Sequence, residues 1–306
     1  MFIKQILKRA LQRAYSIAVQ NNAPMMEDME HLGHYHHVDQ GTQILLRLKY
    51  QEMLRNNVPL PPLDSVEFRS YSQNGEDGIL LFIFSLIGTT NKKAVEISVG
   101  NGMECNAANL IINHGWRGLL FDGSEENIAV GRNFYKNHKD TWISPPTLVS
   151  AWITRDNVNQ LILSHDFSGE IDLLSIDIDG NDYWIWEAIE CIQPRVVVLE
   201  HNTLWEDGRA ITIPYQENFV ADLTAPVYYL GASLPAFVKL GHKKGYRLVG
   251  VQRLGFNAFF VRTGVGEEIL SEVTVEECLE SLNIAPLSEA QRAAIELLSQ
   301  REYIEV

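Results

Sequence analysis

The stretch GYRLVGVQRLGFNAFFVR, residues 245–262, decides the fold. It contains two β-branched and aromatic runs, YRLVGV (246–251) and NAFFVR (257–262), with little more than LGFN between them. That is too short for a crossover helix, so the two runs are expected to pair antiparallel as a hairpin. Toward the N-terminus come five further strand-like runs: KKAVEIS (92–98), GLLFD (118–122), PTLVS (146–150), IDLLSID (171–177) and PRVVVLE (194–200). Helix-like text separates these five. Short, nearly continuous apolar strands alternating with helices imply a parallel sheet covered on both faces. The expectation is an α/β sheet of seven strands, five parallel and two closing it as a hairpin.

The remainder divides around this core. Residues 1–65 read as a polar helical segment ending in the Pro-rich VPLPPL (58–63), which cannot continue a helix and reads as a linker or strap. Residues 66–265 hold the sheet domain, and residues 266–306 an acidic helical tail. The run GILLFIFSLIG (78–88) is too short to span a bilayer and reads as a buried helix. In the first helix Phe2, Ile3, Ile6, Leu7 and Leu11 fall at helical spacing beside Lys4, Lys8, Arg9 and Arg13. Such a face docks on its own protein or on a twin subunit, giving a homo-oligomer. The alternative is peripheral contact with the inner face of a membrane through residues 1–20.

A chain of 306 residues that is 46% hydrophobic and 21% charged can bury one large core. Its net charge of −14 argues against nucleic acid as a partner, since phosphate binding needs excess Lys and Arg. Cys105, Cys191 and Cys278 lie far apart without metal-ligand spacing, and Lys and Arg interrupt the opening apolar stretch. Both features point to a cytoplasmic protein with no cleavable signal. His31, His34, His36 and His37 cluster without a Cys or carboxylate pattern, which reads as a solvated loop rather than a metal site.

Candidate chemistry gathers at the strand ends. After the first strand, Glu96-Ile-Ser98-Val-Gly100-Asn-Gly102 offers small residues at alternate positions, letting a ligand approach the backbone closely. Ser98 stands where the ExGxGxG pattern has its first glycine. Its hydroxyl either meets the ligand or supports the turn. After the second strand come Asp122, Gly123 and Ser124. Asp122 is placed to accept both hydroxyls of a ribose; the bland alternative is that it caps the next helix. Past the third strand, Trp152 and Ile153, with Asp156 or its neighbours, are placed near a nucleobase.

The fourth strand ends in Asp177-Ile-Asp179-Gly-Asn181-Asp182, and the fifth in Glu200-His201-Asn202. Three carboxylates in six residues repel one another unless something positive or neutral sits among them. Asp177 and Asp179, two apart in an extended segment, are expected to point to one side. With Glu200 and His201 they compose an oxygen-rich site for Mg²⁺ or another hard divalent cation. The alternative gives the acidic loop to a cofactor amine and a helix cap, with no metal.

Several separated motifs carry a resemblance: YSQNGEDGIL (71–80), VEISVGNGMECNAANLIINHGWRGLLFDGS (95–124), IDLLSIDIDGNDYWIWEAI (171–189), PRVVVLEHN (194–202) and GASLPAFVKLGHKKGYRLVGVQRLGFNAFFVR (231–262). Together they resemble FkbM-type methyltransferases. The resemblance implies a Rossmann-like methyltransferase sheet and S-adenosyl-L-methionine as cofactor. It also implies O-methylation of a sugar, a glycan or a glycosylated metabolite. The cofactor set it implies is Gln73, Glu96, Ser98, Gly100, Gly102, Asp122, Gly123, Ser124, Trp152 and Asp177, with Glu96 orienting the amino-acid portion. Carried over from related sugar O-methyltransferases, Asp177, Glu200 and His201 would hold the metal, Asp179 would be the base, and Asp177 and His201 would share the catalytic work. Gln73, Glu76 and Asp77 either fold over the cofactor or merely start a helix, and GASL (231–234) either shapes an acceptor pocket or does the same. A non-catalytic relative that binds a nucleotide or glycan as an assembly partner is the second reading. A nicotinamide oxidoreductase is disfavoured by the terminal hairpin and by the lack of a GxGxxG helix start.

Overall fold

The strands form where the apolar runs fall, and the hairpin closes the sheet. In the computed structural model β1 is Lys93–Ile97, β2 Arg117–Asp122, β3 Thr147–Ser150, β4 Gly169–Ile176 and β5 Ile192–Glu200. Residues 38–203, 208–222, 224, 228–282 and 289–306 are described. The first-helix residues and the His31–His37 cluster lie outside them. The helices are α1 (Gln40–Arg55), α2 (Glu76–Ile87), α3 (Ala108–His114), α4 (Glu125–Asn137), α5 (Val158–Leu163) and α6 (Asp182–Ala188). After them come the short strand β6 (Ile211–Thr212), α7 (Leu234–Lys244), the hairpin strands β7 (Tyr246–Val251) and β8 (Asn257–Arg262), then α8 (Val275–Ser281), α9 (Glu289–Leu298) and β9 (Ile304–Glu305).

The main sheet runs β3-β2-β1-β4-β5-β8-β7. The first five strands are parallel, and β8 inserts antiparallel between β5 and β7, with Glu200 opposite Asn257. This is the Rossmann-like methyltransferase layout, with order reversing between β1 and β4. Ligands in such sheets bind beyond the carboxyl ends of the strands near that reversal.

Helices cover both faces, which is why the central strands read as unbroken apolar runs. One core layer gathers Val95, Ile97, Phe121, Ile176, Trp186 and Phe260; the opposite one gathers Ile79, Ile83, Leu120, Leu173, Val198 and Phe259. Helix α2 is the buried one expected: Ile79, Leu80 and Ile83 are fully enclosed. The Pro-rich stretch is a strap over β7, where a Cβ on Gly250 would come within 2.5 Å of the Leu63 side chain. Among the described residues no helix is long and apolar enough to cross a membrane.

The acidic tail does more than its helical sequence suggests. Its last strand, β9, pairs antiparallel with β6 in a second, two-stranded sheet. The Val306 N–H donates to the Ala210 carbonyl at 3.0 Å, and Lys239 Nζ donates to the Val306 carbonyl at 2.5 Å.

Candidate active site

The glycine turn after β1 is held by its neighbours. Ser98 and Val99 N–H both donate to the Phe121 carbonyl, at 2.8 and 3.0 Å, and Gly100 N–H donates to Asp122 Oδ2 at 2.8 Å. Gly100 and Gly102 take positive φ (58° and 71°), and so does Ser98 (69°), a conformation costing a non-glycine residue about 1–2 kcal/mol. Ser98 thus keeps a glycine-like backbone with a hydroxyl added. Helix α4 presses on this turn so closely that a Cβ on Gly131 would lie 2.3 Å from the Asn101 carbonyl oxygen.

Beyond the tips of β1 to β4 lies a cavity of about 90 Å³, with Ser98, Asp122, Gly123, Trp152, Ile153, Ile178, Asn181 and Phe219 among its walls. The structure therefore brings together Ser98, Asp122, Gly123 and Trp152 from the expected cofactor set. Asp122 stands at the cavity and braces the residue that caps the next helix. It borders the cavity while its Oδ1 accepts from Ser124 N–H at 2.8 Å. Ser124 is the N-cap of α4, accepting from Asn127 N–H.

Other expected members stand elsewhere. Both Glu96 oxygens are spent on the next loop, accepting from Asn106 N–H at 2.9 Å and Ala107 N–H at 2.7 Å. Burial pushes its carboxyl above the usual range. Glu96 shapes the turn from behind rather than bordering the cavity. Gln73 is exposed, its carbonyl accepting from Arg69, and it is not a cavity wall. Asp156 is exposed; Trp152 and Ile153 are the walls from that segment. Asp77 is fully buried, one oxygen accepting from the N–H groups of Ser70, Tyr71 and Ser72 at 2.6–2.7 Å, and burial pushes it up to about 6. Ser233 caps α7 and ties Ile211, so GASL starts a helix.

Next to the cavity, one oxygen each from Asp177, Asp179 and Glu200 lie within 4.8 Å of one another. The expected reason was an extended segment. The actual one is a turn, because β4 ends at Ile176 and Asp179 adopts φ +54°. Asp182 leaves the cluster: its oxygens accept from Ile178 N–H (2.8 Å) and Gly180 N–H (2.9 Å), fixing the loop. His201 is not among the converging ligands. Neighbouring strand residues point to opposite faces, so Glu200 and His201 diverge. His201 is buried, neither ring nitrogen has a partner, and burial holds it neutral by pushing its pKa down to about 4.

Burial and the surrounding carboxylates push Asp177 up to about 7 and Glu200 well above its ordinary range. The mutual repulsion of these carboxyls adds to the effect of their burial, and Glu200 Oε2 has no hydrogen-bond partner. An all-oxygen set of this kind suits a hard divalent cation, which would relieve that repulsion.

A strap, residues 209–219, crosses above the cavity. The indole N–H of Trp152 donates to the Glu217 carbonyl (2.7 Å), that of Trp184 to the Ile213 carbonyl (2.8 Å), and Asn181 Nδ2 to the Gln216 carbonyl (2.8 Å). Phe219 packs on Gly180, where a Cβ would meet its ring at 2.4 Å. Asn181 and Phe219 were not among the expected site residues. Asn181 is an uncharged residue in an acidic loop, with no pattern to separate it from a helix cap, and no sequence pattern marks Phe219.

No family model matches the chain, and no curated protein matches it. Among solved structures, an S-adenosylmethionine-dependent methyltransferase from Clostridium acetobutylicum ATCC 824 aligns at TM-score 0.41 and 11% identity, covering 70% of this chain and 96% of that one. The N-terminal domain of EvdMO1 with SAH bound aligns at TM-score 0.40 and 12% identity, covering 74% and 98%. The glycopeptide N-methyltransferase MtfA complexed with S-adenosyl-L-homocysteine aligns at TM-score 0.35 and 12% identity, covering 56% and 82%. The fold rests on the observed strand order rather than on these distant likenesses.

Proposed function

We propose that this protein is an S-adenosylmethionine-dependent O-methyltransferase of the FkbM type, acting on a hydroxyl of a sugar, glycan or glycosylated metabolite. The carrying observation is adjacency: a cavity bordered by Asp122 and Trp152 sits at the strand reversal, beside the Asp177–Asp179–Glu200 cluster. In this reading Asp122 accepts the ribose hydroxyls, Trp152 and Ile153 face the base, and Ser98 meets the ligand backbone-on.

The cofactor supplies the methyl group and departs as S-adenosylhomocysteine. A divalent cation, where bound by Asp177, Asp179 and Glu200, would lower the pKa of the acceptor hydroxyl. The chain's own contribution is position and proton acceptance. Asp179 is partly buried, and burial raises its carboxyl above the usual range. That suits a base taking the hydroxyl proton as the new C–O bond forms and the S–C bond breaks. Alignment of oxygen and methyl carbon then supplies much of the acceleration.

Calorimetry with S-adenosylhomocysteine tests the reading. The intact protein should bind it, and Asp122→Asn, which keeps an oxygen for the Gly100 N–H, should bind on the order of ten-fold or more weakly. Absence of binding by the intact protein overturns the reading. Asp179→Asn should bind the cofactor normally yet lose roughly two or more orders of magnitude in turnover on glycan acceptors. EDTA should depress the same turnover, and unchanged turnover removes the cation from the proposal.

A further inference from the structure

Asn181 sits at the N-cap of α6, where an asparagine ordinarily spends its side-chain oxygen on the first helical N–H groups. Here it makes no such bond. Asp182 ties the preceding loop, and the Asn181 amide is turned toward the strap. Only its Nδ2 is engaged, donating to the Gln216 carbonyl, and a carbonyl partner fixes which end of the amide is nitrogen. Oδ1 is left without contact to water and without a partner, on a residue only 6% exposed that borders the cavity. A buried acceptor left unpaired costs about 1–3 kcal/mol, and at the cavity wall a ligand donor would relieve that cost.

The neighbours say which donor. Trp152, Ile153, Ile178 and Phe219 are flat or apolar walls, and Asp122 marks the sugar end of the cavity. An acceptor set among such walls matches an amine on the edge of a flat heterocycle. Resting on the cofactor reading above, we infer that Asn181 Oδ1 reads the exocyclic amine of the adenine ring. Its Nδ2 holds the strap through Gln216, which makes the one amide both base reader and fastening for the strap. Hypoxanthine carries an acceptor oxygen at that edge and would face Oδ1 acceptor to acceptor.

Binding of S-adenosylhomocysteine and S-inosylhomocysteine should be compared in the full chain by calorimetry. The wild type should prefer the adenine compound on the order of ten-fold to a hundred-fold. Asn181→Ala should bind the two nearly alike. Asn181→Asp, which keeps an accepting oxygen but loses the strap donor, should retain the adenine preference while binding both more weakly. A wild type without preference, or an Asn181→Ala that keeps it, overturns the inference and leaves the cofactor reading standing. Failure of the wild type to bind either compound overturns both.

Discussion

The carboxyl groups of the β4–α6 loop show how much of a site turns on single side chains. In sequence Asp177, Asp179 and Asp182 are three equivalent acids. In the fold Asp182 is enclosed and occupied by two backbone N–H groups, while the other two face Glu200. Residue type and spacing cannot separate these roles, because the separation comes from one left-handed residue, Asp179. Titration adds a residue-scale prediction well away from this site. His114 accepts no charge in the fold: burial, then Arg47 and Lys92, push its pKa down to about 4, and its Nε2 meets Gln43 Oε1 at 2.7 Å. The unfolded chain takes up a proton near pH 6.5 while the folded one does not, so stability is full above that pH. It declines as pH falls toward 4, by about 2 kcal/mol at pH 5. Urea unfolding at pH 7.5 and pH 5 should show this loss in the wild type and a smaller one in His114→Gln; equal slopes would rule it out.

At the scale of elements, the hairpin and the five parallel strands were legible because their cause is local: apolar runs of strand length, punctuated by turn residues. Glu96 was legible as a position and not as a role, since strand-end location says nothing about which loop will use its oxygens. The close seat of α4 on the glycine turn was also hidden. Gly131 reads as a helix weakness, and replacing it with alanine should by propensity alone add about 1 kcal/mol. The seat reverses that sign. A Cβ there meets the Asn101 carbonyl at 2.3 Å and a Leu148 methyl at 2.5 Å. The turn cannot yield freely, because Tyr135 Oη donates to the Gly102 carbonyl at 2.5 Å and Asp122 holds Gly100. Overpacking of this kind costs about 1–3 kcal/mol, so Gly131→Ala should lose net stability and also weaken S-adenosylhomocysteine binding. A variant that melts higher than wild type would show that the helix and turn part easily.

For the molecule as a whole, the question is how a ligand enters a cavity of about 90 Å³ when small-molecule sites run to about 300–1,000 Å³. The cavity's outer wall, Phe219, belongs to the strap, and the strap has two kinds of attachment. Over the cavity it hangs on Trp152, Asn181 and Trp184 by single hydrogen bonds to its carbonyls. At its other end β6 pairs with β9, Tyr229 Oη donates to the Glu302 carbonyl, and Tyr229 stacks edgewise on Tyr303. Four separable hydrogen bonds at one end, the Arg155 N–H to Tyr215 Oη bond included, and a strand pair at the other are the attachments expected of a flap that lifts over the cavity while staying rooted in the tail. The sequence could not show this, because the partners lie roughly ninety residues apart in register, Ile211 against Glu305 and Thr212 against Ile304. Removing residues 302–306 should leave the main sheet folded, since none of its strands pairs with β9. The rooted end would then keep its ties to Gly231, Ala232 and Ser233. Stopped-flow binding of S-adenosylhomocysteine should show both association and dissociation accelerated, dissociation on the order of ten-fold as the pairing with β9 is lost. Rates equal to those of the full chain would mean that the strap moves, if at all, without regard to the tail, and the flap would have to hinge somewhere between residues 213 and 219.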